Sequence, residues 1–216
     1  MNRRFYRSVF ILSAFMSLFV ALESNLFADD YAGKITRVQG KVTVRMPGWE
    51  NIATVKAGDS LAVGGVMETA KNSRAQLIFT DGAFIRVLPE TTLRVNQYSY
   101  TTEDKRSSAI IQVLGGRARF VVYDKMRGSG SRFVVETEYA SIGAGIADFF
   151  VSVSPKETEV AVIGSSLSVR NISSLVVGNV GLGTNQKTVV TEKTPPSQPS
   201  TIPAEQRRKY IRDADF

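Results

Sequence analysis

The chain has 216 residues, of which 43% are hydrophobic and 22% are charged, and its formal net charge at pH 7 is +7. It contains no Cys and no His, which excludes disulfides, thiol nucleophiles, imidazole-based zinc sites and catalytic triads with a His base. This composition is typical of a globular protein, and the positive charge favours an anionic partner.

The start of the chain has the composition of a secretory signal peptide. Residues 1–8 contain three arginines and no acid, and residues 9–22 follow as an apolar run without a charge. A basic start, a short apolar core and a small residue before the cut are the parts of such a signal. A membrane-spanning helix needs roughly 20 apolar residues, so we expect residues 1–28 to be cleaved off after Ala28. The alternative is an uncleaved anchor, which would also leave the remaining chain outside the membrane.

Residues 29–191 are predicted to form an all-β domain. Short runs rich in Val, Ile, Phe and Thr alternate with turn residues, and no run sustains helical periodicity. The predicted strands are 41–45, 74–79, 84–87, 93–100, 109–114, 117–123, 132–137, 149–153, 158–163 and 167–170. The pattern fits either a β-solenoid-like roll or a sandwich of many short strands.

Glycines mark the expected turns between these strands. Asp81-Gly82 is the strongest hairpin signal, because Gly supplies the positive φ that a two-residue turn requires. Gly115-Gly116 and Gly164 each stand between two predicted strands. We expect a turn at both places.

The composition changes at residue 192. Residues 192–203 contain four of the seven prolines, which predicts an extended linker. Residues 204–216 are expected to form either a short helix, since Pro203 suits a helix start, or a frayed tail. We therefore predict a Pro-rich C-terminal tail outside the β domain.

Several segments within residues 38–191 resemble, in their order, the FecR domain of bacterial envelope proteins. They are Gly40-x-Val42-x-Val44, Ala57-Gly58-Asp59-Ser60-Leu61, Ser73-x-Ala75-x-Leu77-x-Phe79-x-Asp81-Gly82, Leu114-Gly115-Gly116-x-Ala118, Asp148-Phe149-x-Val151 and Thr158-x-Val160-x-Val162. The resemblance implies a periplasmic, all-β interaction domain with a β-solenoid-like stack of strands.

The chain departs from the pattern of the FecR domain in two places. Ile146-Ala147 stand where the family usually has Gly-Thr ahead of an acidic-Phe pair, while Gly143 and Gly145 come earlier; a local shift is expected there. Regulators of sigma factors in this family also carry a cytoplasmic segment ahead of a membrane helix. Too few residues precede the apolar run here to form such a segment, so we expect an exported single-domain member without the sigma-regulating part.

Paired carboxylates are the strongest sequence feature in favour of catalysis. Glu136/Glu138 and Glu157/Glu159 are each two residues apart, so each pair faces one side of a strand. Two carboxylates suffice for glycoside hydrolysis without a His. The alternative function is therefore a carboxylate-dependent cell-wall carbohydrate hydrolase, although solvent-facing strand positions explain the pairs more simply. We expect no catalytic residue, cofactor or metal site.

The positive charge is concentrated in one part of the chain. After removal of residues 1–28 the net charge is +5, and residues 86–132 contain all of this excess. Arg117 and Arg119 alternate and so project from one strand face, where guanidinium groups match carboxylate and phosphate geometry. The predicted binding residues are Arg86, Arg94, Arg117, Arg119, Arg127 and Arg132. A solvated face with charges that protect a sheet edge is the simpler explanation.

These features predict a periplasmic or secreted, non-catalytic binding or scaffold module of the bacterial envelope. Its expected partner is an envelope protein or an anionic cell-wall polymer. Nucleic acid is not expected, because no aromatic ladder accompanies the arginines. No membrane span is expected once the signal peptide is cleaved.

Overall fold

A computed structural model describes residues 31–48, 50–123 and 128–216. The predicted signal peptide of residues 1–28 and the predicted binding residue Arg127 lie outside the described residues. The described chain contains fifteen β-strands and one helix. All fifteen strands belong to one hydrogen-bonded sheet, so the predicted all-β fold class is confirmed.

The strands in the first half of the described chain are short. They are β1 Tyr31–Gln39, β2 Val42–Arg45, β3 Ala53–Thr54, β4 Ser60–Ala62, β5 Val66–Thr69, β6 Arg74–Phe79, β7 Phe84–Val87 and β8 Thr92–Thr101. Longer strands follow, and the chain ends in a helix. These elements are β9 Arg106–Val122, β10 Arg132–Glu136, β11 Ala140–Val153, β12 Thr158–Asn171, β13 Asn179–Leu182, β14 Gln186–Val190, β15 Ser200–Thr201 and α1 Ala204–Asp213.

The three long strands β9, β11 and β12 organise the sheet. The main path runs β15-β14-β12-β11-β10-β9-β7-β6-β1-β4, and β8 leads from β9 to β5, β2 and β3. The first part of β9 pairs with β8 and, in parallel, with β10. Its second part pairs with β7 and β11. Strands β11 and β12 likewise change one of their partner strands along their length: β11 pairs first with β10 and then with β9, and β12 pairs first with β14 and then with β13.

Alternating burial places the main hydrophobic core on one face of the sheet. In β6, for example, Ala75, Leu77 and Phe79 are buried and their neighbours are half-buried, as expected for a strand with period two. The rings of Phe120 and Phe149 stack within this core with 5.2 Å between their centroids. We call this the core face, and the opposite side of the sheet the outer face.

Two predicted turns are wrong, because the chain runs on through both glycine positions. Strand β9 includes the predicted strands 109–114 and 117–123, and β12 includes 158–163 and 167–170. At Gly115-Gly116 the strand changes partner from β8 to β11, and Gly116 has φ +85°. Beside Gly164, Ser165 has φ +66°. Glycine in a long strand commonly marks an irregularity of this kind rather than a chain reversal.

The predicted hairpin at Asp81-Gly82 is confirmed, but its loop is longer than two residues. It joins β6 to β7 through residues 80–83, and Gly82 has φ +79°. Asp81 is fully buried; its Oδ1 accepts a hydrogen bond from the Ala83 amide, and its own amide donates to the Tyr98 hydroxyl at 3.1 Å. The aspartate thus organises the loop from inside.

The expected local shift near Ile146-Ala147 is also confirmed. The pairing of β11 with β12 shifts register between Ala144 and Ala147. The shift is a bulge within a strand, which changes how the two halves of β11 meet their neighbours.

Replacing Gly116 by alanine should destabilise the fold. A Cβ at Gly116 would overlap the carbonyl oxygen of Glu90, and its φ of +85° disfavours any side chain. We expect G116A to lower the free energy of unfolding by roughly 2 kcal/mol, measured by urea denaturation. Gly115 is the matched control, because a Cβ there meets nothing within 4 Å. Equal stability of G116A and G115A would contradict the close approach at residue 116.

Candidate functional site

The Pro-rich segment follows a fixed path along the edge of the sheet. Strand β15 pairs with β14. Before it, the Ser197 amide donates to the Val189 carbonyl at 2.9 Å, and the Ser197 Oγ accepts from the Val189 amide at 3.0 Å. After it, the Ile202 amide donates to the Asn185 carbonyl at 2.9 Å. These bonds hold the extended chain against the sheet.

A buried asparagine holds the beginning of this segment. Asn171, at the end of β12, is 1% exposed. Its Nδ2 donates to the carbonyl oxygens of Thr191 at 2.8 Å, Thr194 at 3.1 Å and Glu192 at 3.3 Å. One side chain therefore fixes the turn by which the chain leaves β14.

Of the two alternatives for residues 204–216, the structure has the helix, and the helix lies on the outer face. Tyr210 is 4% exposed and stacks on Phe150 of β11, with centroids 5.1 Å apart and ring planes 22° apart. A second, smaller hydrophobic cluster forms around this stack; its members are Leu88, Phe150, Ala161, Ile163, Ile202, Tyr210 and Ala214. Burial of these apolar groups stabilises the docked helix.

Cations surround this cluster, and we call Arg86, Arg117, Arg119 and Lys187 the basic face. Arg86 of β7 pairs in register with Arg119 of β9, which in turn pairs with Phe150. Arg117 and Arg119 lie on the same side of β9, while Ala118 between them is in the core. The sheet therefore aligns side chains from three strands on one surface.

Two of these arginines bind acids at the end of the chain. Arg117 Nη2 lies 2.7 Å from Asp213 Oδ2, and Arg86 Nη1 lies 2.9 Å from Asp215 Oδ1. Arg86 also donates to the carbonyl oxygen of Ala214 at 3.0 Å. Cations at this position suit the negative end of the helix dipole. The helix is thus held by its carboxyl end as well as by its apolar side.

Arg119 has its partner inside the sheet. Its Nε and Nη2 donate to the two oxygens of Asp148 on β11 at 2.9 and 2.7 Å, with 15% of the arginine side chain exposed. This bidentate hydrogen bond raises the pKa of Arg119. The guanidinium also lies 5.7 Å from the centroid of the Phe150 ring, so it supports the ring on which Tyr210 stacks.

Glu159 of β12 holds the other side of the helix. It accepts hydrogen bonds from Lys187 Nζ at 2.8 Å and from the Tyr210 hydroxyl. Gln206 Nε2 donates to the Tyr210 oxygen at 2.8 Å. Burial, together with the hydrogen bond to the Glu159 carboxylate, raises the pKa of Tyr210 above its usual value. The tyrosine is therefore a protonated donor at neutral pH.

The predicted carboxylate pairs do not share one environment. Glu159 is an anchor for α1, whereas Glu157 and Glu138 are exposed and Glu136 is half-buried at the end of β10. Among the described residues, no three acidic side chains are grouped so that they could hold a metal ion. The residues around Glu159 bind the helix α1.

The predicted binding arginines do not form one cluster in the structure. Arg86, Arg117 and Arg119 belong to the basic face. Arg94 lies on β8, where its Nε is buried without a hydrogen-bond partner among the described residues. Arg132 is exposed at the start of β10.

Sequence reasoning missed the partners of the basic face, although a signal for them is present. Gln206, Tyr210 and Asp213 are spaced by four and three residues, which places them on one side of a helix. Tyr210 is an aromatic residue among charged neighbours, and this indicates that its side of the helix is buried.

Comparison with known proteins identifies the domain. No curated protein matches the chain. The family model described as FecR protein matches residues 65–167, which extend from the loop before β5 into β12. The protein therefore carries a FecR domain, and the resemblance seen in the sequence is confirmed.

Solved structures show the same fold. Two crystal structures of a candidate anti-sigma factor from Parabacteroides distasonis ATCC 8503 match with TM-scores of 0.52 and 0.53 and 19% sequence identity. The matches cover 68% of this chain and 63% and 64% of the other protein, so this chain spans less than two thirds of that protein's length. Within the described part of the chain, no helix has the length and hydrophobicity needed to cross a membrane.

Reversing one charge of the Arg117–Asp213 pair should loosen α1, and reversing both should restore it. We expect R117E and D213R each to destabilise the docked helix by roughly 1 kcal/mol, and R117E/D213R to recover most of the loss. Limited proteolysis of the C-terminal segment measures docking. The control is R106E, because Arg106 pairs with Asp104 at an exposed position. Two independent losses that simply add in the double variant would contradict a direct pair.

Proposed function

We propose that this protein is an exported, non-catalytic binding module of the bacterial cell envelope that holds, on its basic face, a helical protein segment that ends in acidic residues. The observation that carries the proposal is the contact of Arg86 and Arg117 with Asp215 and Asp213. The chain's own C-terminal segment occupies the site in the structure. A partner segment of the same chemistry is the proposed ligand.

The chemistry of the face favours a protein segment over a polysaccharide. Its centre is apolar, formed by Phe150, Ala161 and Ile163, and its cations stand at the border. An amphipathic helix with an aromatic residue and acids covers both parts, as helix-in-groove complexes do. An anionic wall polymer would pair with the cations but leave the apolar centre in water.

The self-docked segment is held weakly enough for exchange. A helix of ten residues is marginal when it is isolated in water, and Pro203 at its start makes no side-chain capping bond. The Asp215 side chain is 63% exposed, where ion pairs contribute little. A partner segment that makes the same contacts can therefore displace α1.

Two further observations support an exported, non-catalytic role. The basic and apolar start of the chain has the form of a secretory signal, which favours the periplasm or the cell exterior. The protein that shares the fold is described as a candidate anti-sigma factor. Such a factor regulates by binding, and this proposal extends only that mode of action to the present chain.

The test uses a labelled peptide with the sequence of residues 200–216, whose last turn carries Asp213 and Asp215. We expect it to bind saturably to the D213R/D215R variant, in which the chain's own segment is released, and weakly to the wild-type protein. The matched control is the same peptide carrying D213N and D215N, which should not compete. Binding is measured by fluorescence anisotropy.

Three outcomes would overturn the proposal. The first is no peptide binding to the folded D213R/D215R variant. The second is equal binding of the 200–216 peptide and its D213N/D215N control. If isolated peptidoglycan sediments with the D213R/D215R variant and displaces the peptide, the partner is the wall polymer, and the protein-segment assignment is wrong.

A further inference from the structure

A second surface feature lies on the outer face of β10, β11 and β12. It is an open groove of about 380 Å³, within the size range of small-molecule sites. Its lining includes Arg132, Val134, Ser141, Gly143, Ser168 and Arg170. None of its lining residues belongs to the basic face or to the C-terminal segment, so this groove is independent of the site proposed above.

The strand register explains why the surface is concave here. Val134 pairs with Gly143, and Gly143 pairs with Ser168. This row crosses three strands, and Gly143 at its centre has no side chain, so the row forms a floor.

Two arginines stand on opposite sides of this floor. Arg132 is two residues before Val134 on β10, and Arg170 is two residues after Ser168 on the parallel-running β12. Both side chains are exposed, and within the described residues neither makes an ion pair. Arg170 donates one long hydrogen bond, 3.3 Å, to the Asn171 carbonyl. Most of the donor capacity of the two guanidinium groups is therefore available to a ligand.

A hydroxyl group also faces the groove. Ser141 is 6% exposed and lines the groove. Its hydroxyl adds a donor and an acceptor that a ligand in the groove can use.

The backbone around the groove excludes an added peptide strand. Strand β10 pairs on both sides, with β9 and β11, and β11 pairs with β10 and β12. Recognition of an extended peptide by strand addition needs an unpaired sheet edge. The floor offers none, so recognition must come from side chains: hydroxyls of Ser141 and Ser168, and two guanidinium groups.

We propose that this groove binds an acidic saccharide, with the sugar ring on the floor formed by Val134, Gly143 and Ser168 and its carboxylate held by Arg132 or Arg170. The absence of a side chain at Gly143 leaves room for a flat ring, and the serines match sugar hydroxyls. The carboxylate is the group for which guanidinium donors are suited.

The experiment titrates the full-length protein with N-acetylmuramic acid, which carries a carboxylate, and with N-acetylglucosamine, its neutral counterpart. We expect saturable binding of the acidic sugar, at least about tenfold weaker binding in R132Q/R170Q, and little binding of the neutral sugar. S168Y, which fills the floor, should also abolish binding. The control is R208Q, an exposed arginine on α1.

Three results would overturn this proposal: no saturable binding of the acidic sugar, equal binding by the wild type and a folded R132Q/R170Q, or equal binding of the two sugars. The peptide test of the basic face uses different variants, so each of the two proposals can be contradicted independently of the other. If R132Q/R170Q proves misfolded, the proposal is tested with S168Y, which fills the floor and leaves both guanidinium groups in place. Unchanged binding of the acidic sugar by folded S168Y would then contradict the proposal.

Discussion

The stack of Tyr210 on Phe150 is the interaction on which the position of α1 on the sheet depends. Without it, Phe150, Ala161 and Ile163 would form an apolar patch on the outer face, opposite the core. The helix α1 covers this patch. Hydrogen bonds between the Pro-rich segment and β14 position α1 over it. The sheet thus has hydrophobic contacts on both of its faces in this region, and the longer strands β11 and β12 supply them.

The packing of α1 on the sheet also determines which arginines are paired with acidic residues. Residues 86–132 look strongly basic in the sequence, but three of their arginines contact acids from elsewhere in the chain, namely Asp148, Asp213 and Asp215. The excess charge of the segment is therefore not equivalent to a free basic patch. The guanidinium groups without ion pairs among the described residues include those of Arg132 and Arg170, on a different part of the outer face.

Local patterns in the sequence predicted the fold class, the bounds of β6 and β7, and the irregularity near Ile146-Ala147. They failed at Gly115-Gly116 and Gly164, because glycine chemistry alone does not distinguish a chain reversal from a bulge; the partners of the strand decide that. The arginines of the basic face were found from their alternation, whereas their partners Asp213 and Asp215 were not. Those contacts span about a hundred residues of chain, and no local pattern encodes such a distance. Ser141 was missed for the same reason: its burial depends on pairing with β10 and β12.

The central claim is that α1 is docked through Tyr210 on the outer face of the sheet. Hydrogen–deuterium exchange of the full-length protein tests it most directly, because an isolated helix of this length would exchange as freely as an unstructured peptide. The account predicts protected amides in residues 207–213 of the wild type. It also predicts that Y210A removes this protection while β9 and β11 remain protected. Rapid exchange of α1 in the wild type, or unchanged protection in Y210A, would contradict it.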